Sequence, residues 1–431
     1  MSSYLRVLRH KDFRCLFIGQ AASVVGDQVV IVALALFVTQ STGSPTDLGL
    51  VLGAQSLALV CLLLLGGVWA DRLSRQRIMI LADAARGLLQ ALLAVLILTG
   101  VVRVWAIVAI AAAYGGFQAF FQPAYSGLVP QTVPEELIQE SKALIESVSN
   151  VAFMVGPALG TVLVLGIGAG EAFAFDALTF ALSVLFLFRV QARPRGDASA
   201  VAARESVLHG LRVGYREVRS RTWVWVVIVV FAGTLLCVYA QWYTLAPRIA
   251  RDVYGSAGVF GLLESVAGLG AVMGAVIALR WRPARPVMMG MLLVLAWPVQ
   301  VGVFALGAPL WLVVPFAFAS GFGFALLIIW WETALAHHIP ASALSRVSAW
   351  DWMGSTALLP LGFLLAGPLA SAFGARNVLG FGCMIGLVLL AVGAAPRSVR
   401  RLSGKPSSEP AVPRLAHREH SEGQTRTRAL V

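Results

Sequence analysis

Twelve apolar runs follow one another along this 431-residue chain, each long enough to cross a bilayer as a helix. About 20 apolar residues span the hydrocarbon core, and backbone polar groups there must be bonded within the protein, which leaves helices or closed barrels. Runs of this length fit helices. They cover residues 13–39, 48–70, 78–100, 104–123, 143–166, 172–190, 223–246, 257–279, 287–306, 310–333, 347–372 and 377–394, here called spans 1 to 12. Only 13% of residues are charged, about half the usual share in a soluble protein. A soluble enzyme, a disordered chain and a secreted disulfide scaffold are excluded. The first run is too long for the apolar region of a cleaved signal peptide, so it reads as a retained helix.

Charge orients the bundle. With both termini on the cytoplasmic side, the inner segments carry 28 Lys and Arg, whereas the outer turns carry only Arg103, Arg248, Arg251 and Arg376. The positive-inside rule therefore predicts a multi-pass protein of the plasma membrane with cytoplasmic termini. The net charge of +12 is accounted for by the bilayer, with no nucleic-acid partner.

The chain divides into two halves of six spans, residues 1–190 and 223–395. Between them, residues 191–222 carry Leu208, Leu211, Val213, Tyr215 and Val218 among Arg212, Arg216 and Arg219. That pattern predicts a basic amphipathic linker on the inner membrane surface. Residues 396–431 are rich in Pro, Ser, Arg and Glu and are expected to be a disordered cytoplasmic tail. The halves also correspond weakly: Gln55 in span 2 aligns with Glu264 in span 8, and Val133-Pro134 aligns with Ile339-Pro340.

The turn after span 2 is more specific. It reads Gly66-Gly67-Val68-Trp69-Ala70-Asp71-Arg72-Leu73-Ser74-Arg75-Gln76-Arg77, which resembles the loop signature of the major facilitator superfamily. The resemblance implies an all-α membrane fold of twelve helices in two pseudo-symmetric halves, and a gating role for this loop. Gly26-Asp27, Phe121-Gln122-Pro123-Ala124, Asp176-Ala177 and Arg346-Val347-Ser348 are similar to the drug–proton antiporter branch that contains macrolide and enterobactin exporters. Gly156-Pro157-Ala158-Leu159-Gly160 in span 5 resembles the glycine-proline motif of antiporters. The sequence departs from many drug antiporters in having no arginine in span 4. The resemblance covers residues from about 5 to 395 and implies a proton-coupled secondary exporter of a drug-like molecule or secondary metabolite. An uptake permease, or a sensor or scaffold built on the same bundle, are the alternatives; the working unit is expected to be a monomer.

Ionisable residues in mid-membrane are functional candidates by default. Asp27, Glu264 and Glu332 are the candidates for proton coupling, and Glu264 is also a candidate for binding a cationic ligand. Asp83 and Arg86 stand three apart, close enough to pair on one helical face, and are grouped with the gating loop. Phe117, Gln118, Phe121 and Gln122 of span 4 and Tyr239, Gln241 and Trp242 of span 7 are candidates for lining a cavity. The three lysines, Lys11, Lys142 and Lys405, precede Asp, Ala and Pro, so none completes a phosphate-binding GxxxxGK[ST] loop. No cofactor, metal site or enzymatic activity is expected. Energy is expected to come from an ion gradient, a substrate gradient or a partner subunit.

Overall fold

The computed structural model describes residues 6–191, 207–278 and 280–403. Twelve helices within them are long and apolar enough to cross a membrane. Span 1 is Lys11–Thr42, and Gly43 closes it with φ of 64°, a left-handed cap that an L side chain would strain. Ser44 then accepts from the Asp47 backbone N–H at 3.2 Å with Pro45 in the first turn, which starts span 2 immediately. Spans 2 to 6 are Pro45–Arg72, Arg75–Leu98, Val104–Thr132, Ile138–Gly166 and Ala169–Leu187.

A linker helix, Val207–Ser220, precedes span 7. Its Tyr215 packs on Trp350 of span 11 with ring centroids 5.5 Å apart, while Leu208 and Leu211 lie outside the described side chains. Span 7 is Thr222–Thr234, a five-residue π segment Leu235–Tyr239, and Ala240–Tyr254. Span 8 is Gly258–Ala278 and span 10 is Leu310–His338. Span 9 breaks between Pro286–Leu293 and Ala296–Ala305, and span 11 between Ala341–Thr356 and Leu359–Phe373. Span 12 is Ala375–Ala394.

Several boundaries differ from the sequence expectation. Span 7 runs on to Tyr254, so Arg248 and Arg251, expected in an outer turn, lie in its last turns, and spans 5 and 10 are each five residues longer than expected. Span 4 continues past Pro123 and Pro130 to Thr132, because neighbouring helices can hold a kinked backbone where hydropathy alone would end it. The tail expected from residue 396 begins with one ordered turn, Arg397–Arg400, which buries Val399 and, just beyond it, Leu402 against spans 7 and 9. Residues 404–431 lie outside the described residues.

Both ends of the bundle emerge on one face, here the terminal face; the opposite one is the distal face. The apolar core differs between them. Near the distal face one cluster joins both halves, including Val38, Trp242, Phe260, Phe304 and Val313. Near the terminal face the clusters are separate: Leu16, Met79, Phe121 and Leu187 in the first half, and Trp223, Met291, Leu327 and Leu390 in the second. Glycines mark the seam. Gly258 meets Leu165, Gly261 meets Thr161 and Gly268 meets the Met154 backbone where span 8 crosses span 5. Gly49, Gly53 and Gly367 do the same where span 2 crosses span 11, all in the distal part of those helices. The distal seam is also tied by Arg248 and Arg251 of span 7, which donate to the Gly43 and Thr39 carbonyls at the C-terminal end of span 1. The halves are therefore shut at the distal face and part toward the terminal face.

Candidate transport site

The first half holds a polar cluster between spans 1, 3, 4 and 6. Arg86 is 1% exposed and forms an ion pair with Asp83 one turn earlier on the same helix. Its guanidinium also lies 3.9 Å from Asp27 of span 1. Three aromatic rings surround it, with Phe121 and Phe180 centroids 4.3 Å and 4.6 Å from the guanidinium carbon and Tyr114 at 5.7 Å. Cation–π contact of this kind gains strength when water is excluded. The Arg86 Nε atom is buried without a hydrogen-bond partner.

The three acids differ in what holds them. Asp83 accepts from Ser183 at 2.6 Å and from Gln20 at 3.3 Å. Asp176 accepts from Gln90 at 2.8 Å and Thr179 at 3.2 Å, and is fully buried within electrostatic reach of Asp27 and Arg86. Asp27 accepts from the Tyr114 hydroxyl, and of the three it alone is part-exposed, its side chain at 28%. Three carboxyls thus share one guanidinium. Fully ionised, the cluster would carry a net charge of −2 in a medium where unpaired charge costs several kcal/mol per ion.

The second half presents a different site. Glu264 of span 8 accepts from the Trp242 indole at 2.7 Å and the Tyr243 hydroxyl at 2.5 Å. It opens on a cavity of about 80 Å³ whose walls include Tyr239, Trp297, Gln300, Ser320 and Phe324. Phe153 of span 5 also lines it, so the cavity touches both halves. The π segment ends at Tyr239; such segments occur often at functional sites because the extra residue re-aims the helix face.

Other sequence candidates fall elsewhere. Gln241 turns away from this cavity and donates to the Leu236 and Gly362 carbonyls. Glu332 is exposed toward the terminal face, within electrostatic reach of Glu146 and Asp351. Phe117 and Gln122 are exposed and Gln118 is half-buried. Phe121 instead packs on Arg86. The Asp83–Arg86 pair lies in the interior of the half, one to three turns beyond the loop with which the sequence groups it.

In that loop only Leu73 and Ser74 separate two helices. Arg75 donates to the Gly127 carbonyl at 2.5 Å and Gln76 to the Leu187 and Val190 carbonyls at 2.7 Å, tying spans 3, 4 and 6 together. Arg77 is exposed, and Gly66 sits against the Ala119 backbone of span 4. Gly67, Asp71 and Arg72 fall in the helix of span 2, and their side-chain surroundings lie outside those described. Tyr114, Gln20, Gln90 and Ser183 were not singled out from the sequence. The polar residues placed one or two helical turns from Asp27, Asp83 or Asp176 were the available signal.

The glycine-proline segment packs span 5 on span 1. Gly156 faces Gln28, and a Cβ on Gly160 would lie 2.6 Å from the Val29 carbonyl oxygen. Gly160→Val is expected to lower stability by roughly 1–3 kcal/mol, the usual range for overpacking. Thermal unfolding of the purified protein checks this, and an unchanged midpoint would remove the close-packing role.

The family described as transmembrane secretion effector matches residues 2–287. The multidrug efflux pump Tap of Mycolicibacterium fortuitum is 28% identical over 81% of this chain and 87% of its own length. The enterobactin exporter EntS of Citrobacter koseri is 26% identical over 93% of this chain and 96% of its own. Among solved structures, the nucleoside transporter NupG superposes with a TM-score of 0.71 at 14% identity, covering 89% of this chain and 99% of that one; at that identity the likeness concerns the fold.

Proposed function

We propose, from the premise that this chain belongs to the transmembrane secretion effector family of the major facilitator superfamily, that it is a proton-driven exporter of drug-like molecules or secondary metabolites. Its terminal face is cytoplasmic, on the 28-to-four distribution of basic residues, which makes the structure an inward-open state. The direction rests on the relatives, a multidrug efflux pump and an enterobactin exporter. Alternating access follows from rocking of the halves about a midplane site.

The observation that carries proton coupling is the three-to-one ratio of carboxyl to guanidinium in the first half. A proton on Asp27 reduces the buried charge of the cluster. Asp27 is also the acid that remains open, with Tyr114 donating to it across from span 4. Asp83 and Asp176 are held by fixed hydrogen bonds and set the field in which Asp27 gains or loses its proton. Arg86, from span 3, brings to the face of span 4 the positive charge that span 4 itself lacks.

The test is substrate flux in proteoliposomes with and without an imposed pH gradient, using a compound identified by growth inhibition of a pump-deficient host. Asp27→Asn is expected to abolish gradient-driven accumulation while sparing downhill exchange, because the amide stays neutral as the protonated acid does. Accumulation that still follows the gradient in this variant would remove Asp27 from coupling.

A further inference from the structure

The two halves handle negative charge in opposite ways. In the first, Arg86 sits among the acids. In the second, Glu264 is 7% exposed and receives only neutral donors, and no ion pair to it occurs among the described residues. The cavity it faces is lined by no lysine or arginine. A carboxylate of this kind is left short of a cation.

The walls supply the rest of a cation site. Tyr239 and Tyr243 stand with ring centroids 4.5 Å apart, Tyr239 and Trp297 at 6.2 Å, and Trp297 and Phe324 at 5.8 Å. These rings, with Trp242, form a continuous aromatic surface around the carboxylate. Aromatic faces attract positive charge, and cages of such rings are a recurring means of holding alkylated ammonium groups. The cavity volume of about 80 Å³ suits a head group, with the remainder of a molecule passing Phe153 into the gap between the halves. Toward the terminal side, Glu332 lies within electrostatic reach of Asp351 of the second half and Glu146 of the first.

We infer that the Glu264 cavity is a binding site for organic cations, in which a substituted ammonium group sits against the carboxylate within the aromatic cage. The inference deepens the exporter reading and rests on it only for calling that cation a substrate; binding itself requires no transport. Because Phe153 belongs to the other half, rocking removes one wall of the cage and weakens the hold on the head group.

The probe is benzyltrimethylammonium, whose neutral isostere, neopentylbenzene, differs by a single charge. Equilibrium dialysis of the radiolabelled cation against the full chain in phosphatidylcholine nanodiscs, with empty nanodiscs subtracted, gives the affinity. Glu264→Gln is expected to weaken binding at least tenfold. Trp297→Leu, which removes a wall without touching a donor to Glu264, is expected to weaken it at least threefold, and neopentylbenzene should compete at least tenfold less well than the unlabelled cation. Should Glu264→Gln fail to fold, the Trp297 variant and the isostere decide the matter. No saturable binding by the wild type, an affinity of Glu264→Gln within twofold of it, or equal competition by the isostere would overturn the inference. A protein that binds the cation but moves nothing would overturn export alone.

Discussion

Replacing Arg86 by glutamine is expected to abolish transport and to destabilise the protein by roughly 3–5 kcal/mol, the range for removing one partner of a buried ion pair. Glutamine retains much of the length and some donors but leaves Asp27, Asp83 and Asp176 facing one another without their shared cation. It also removes the charge that holds Phe121, Phe180 and Tyr114 around the guanidinium. Adding Asp83→Asn should recover part of the stability, since it deletes the carboxylate most directly paired with Arg86. Transport should stay absent, because Asp27 has lost its counter-charge. Thermal unfolding in nanodiscs, followed by tryptophan fluorescence, gives both stabilities. An Arg86→Gln protein as stable as the wild type, or a double variant no better than the single, would show that the cluster is not electrostatically coupled.

The second large effect is expected at the distal face. Arg248 and Arg251 donate to the carbonyls of Gly43 and Thr39, groups at the C-terminal end of span 1 where the helix dipole is negative. These contacts exist only while the halves are shut there. Their donors are part-exposed, so each is worth roughly 1 kcal/mol, the ordinary net value of a hydrogen bond. Losing both shifts the equilibrium by about 2 kcal/mol, or roughly thirtyfold at 1.4 kcal/mol per decade. The double variant Arg248→Ala, Arg251→Ala should therefore populate a form open at the distal face. Spin–spin distances between labels on the 1–2 and 7–8 turns would report it as a longer component. An unchanged distribution would mean that the glycine-lined crossings alone set the closed state.

The twelve spans were legible because hydropathy averages over some 20 residues, and a few polar positions do not hide a run of that length. Breaks were less so. The interruption of span 9 at Val294-Leu295 is marked only by Pro298 four residues on, which has no N–H to give the Val294 carbonyl; hydropathy does not show it, since both residues are as apolar as their neighbours. Span 4 passes two prolines that would stop a helix in water. At the site, Asp27 and Glu264 declared themselves as acids in apolar runs, but their partners did not. Arg86 reaches Asp27 only because spans 1 and 3 both pack on span 6 within the first half, and periodicity along either helix carries no information on that shared neighbour. Trp242 drew notice as an aromatic beside amides, yet its donation to Glu264 depends on how span 7 turns. The adjacent Gln241 shows the limit: equal in sequence, it faces another helix.

That turn of span 7 also bears on how related chains should be compared. The π segment from Leu235 to Tyr239 holds one more residue per turn than the helix on either side, which is equivalent to an insertion absorbed without a loop. Each residue of an α-helix advances by about 100°. A relative that lacks the extra residue, aligned without a gap, would therefore present its counterparts of Trp242 and Tyr243 about 100° from the face that meets Glu264. An ungapped alignment through residues 235–239 would pair indole with the wrong neighbour and read a retained binding face as lost. Homology within this helix has to be counted in faces, and a single-residue gap there is a difference in shape before it is a difference in length.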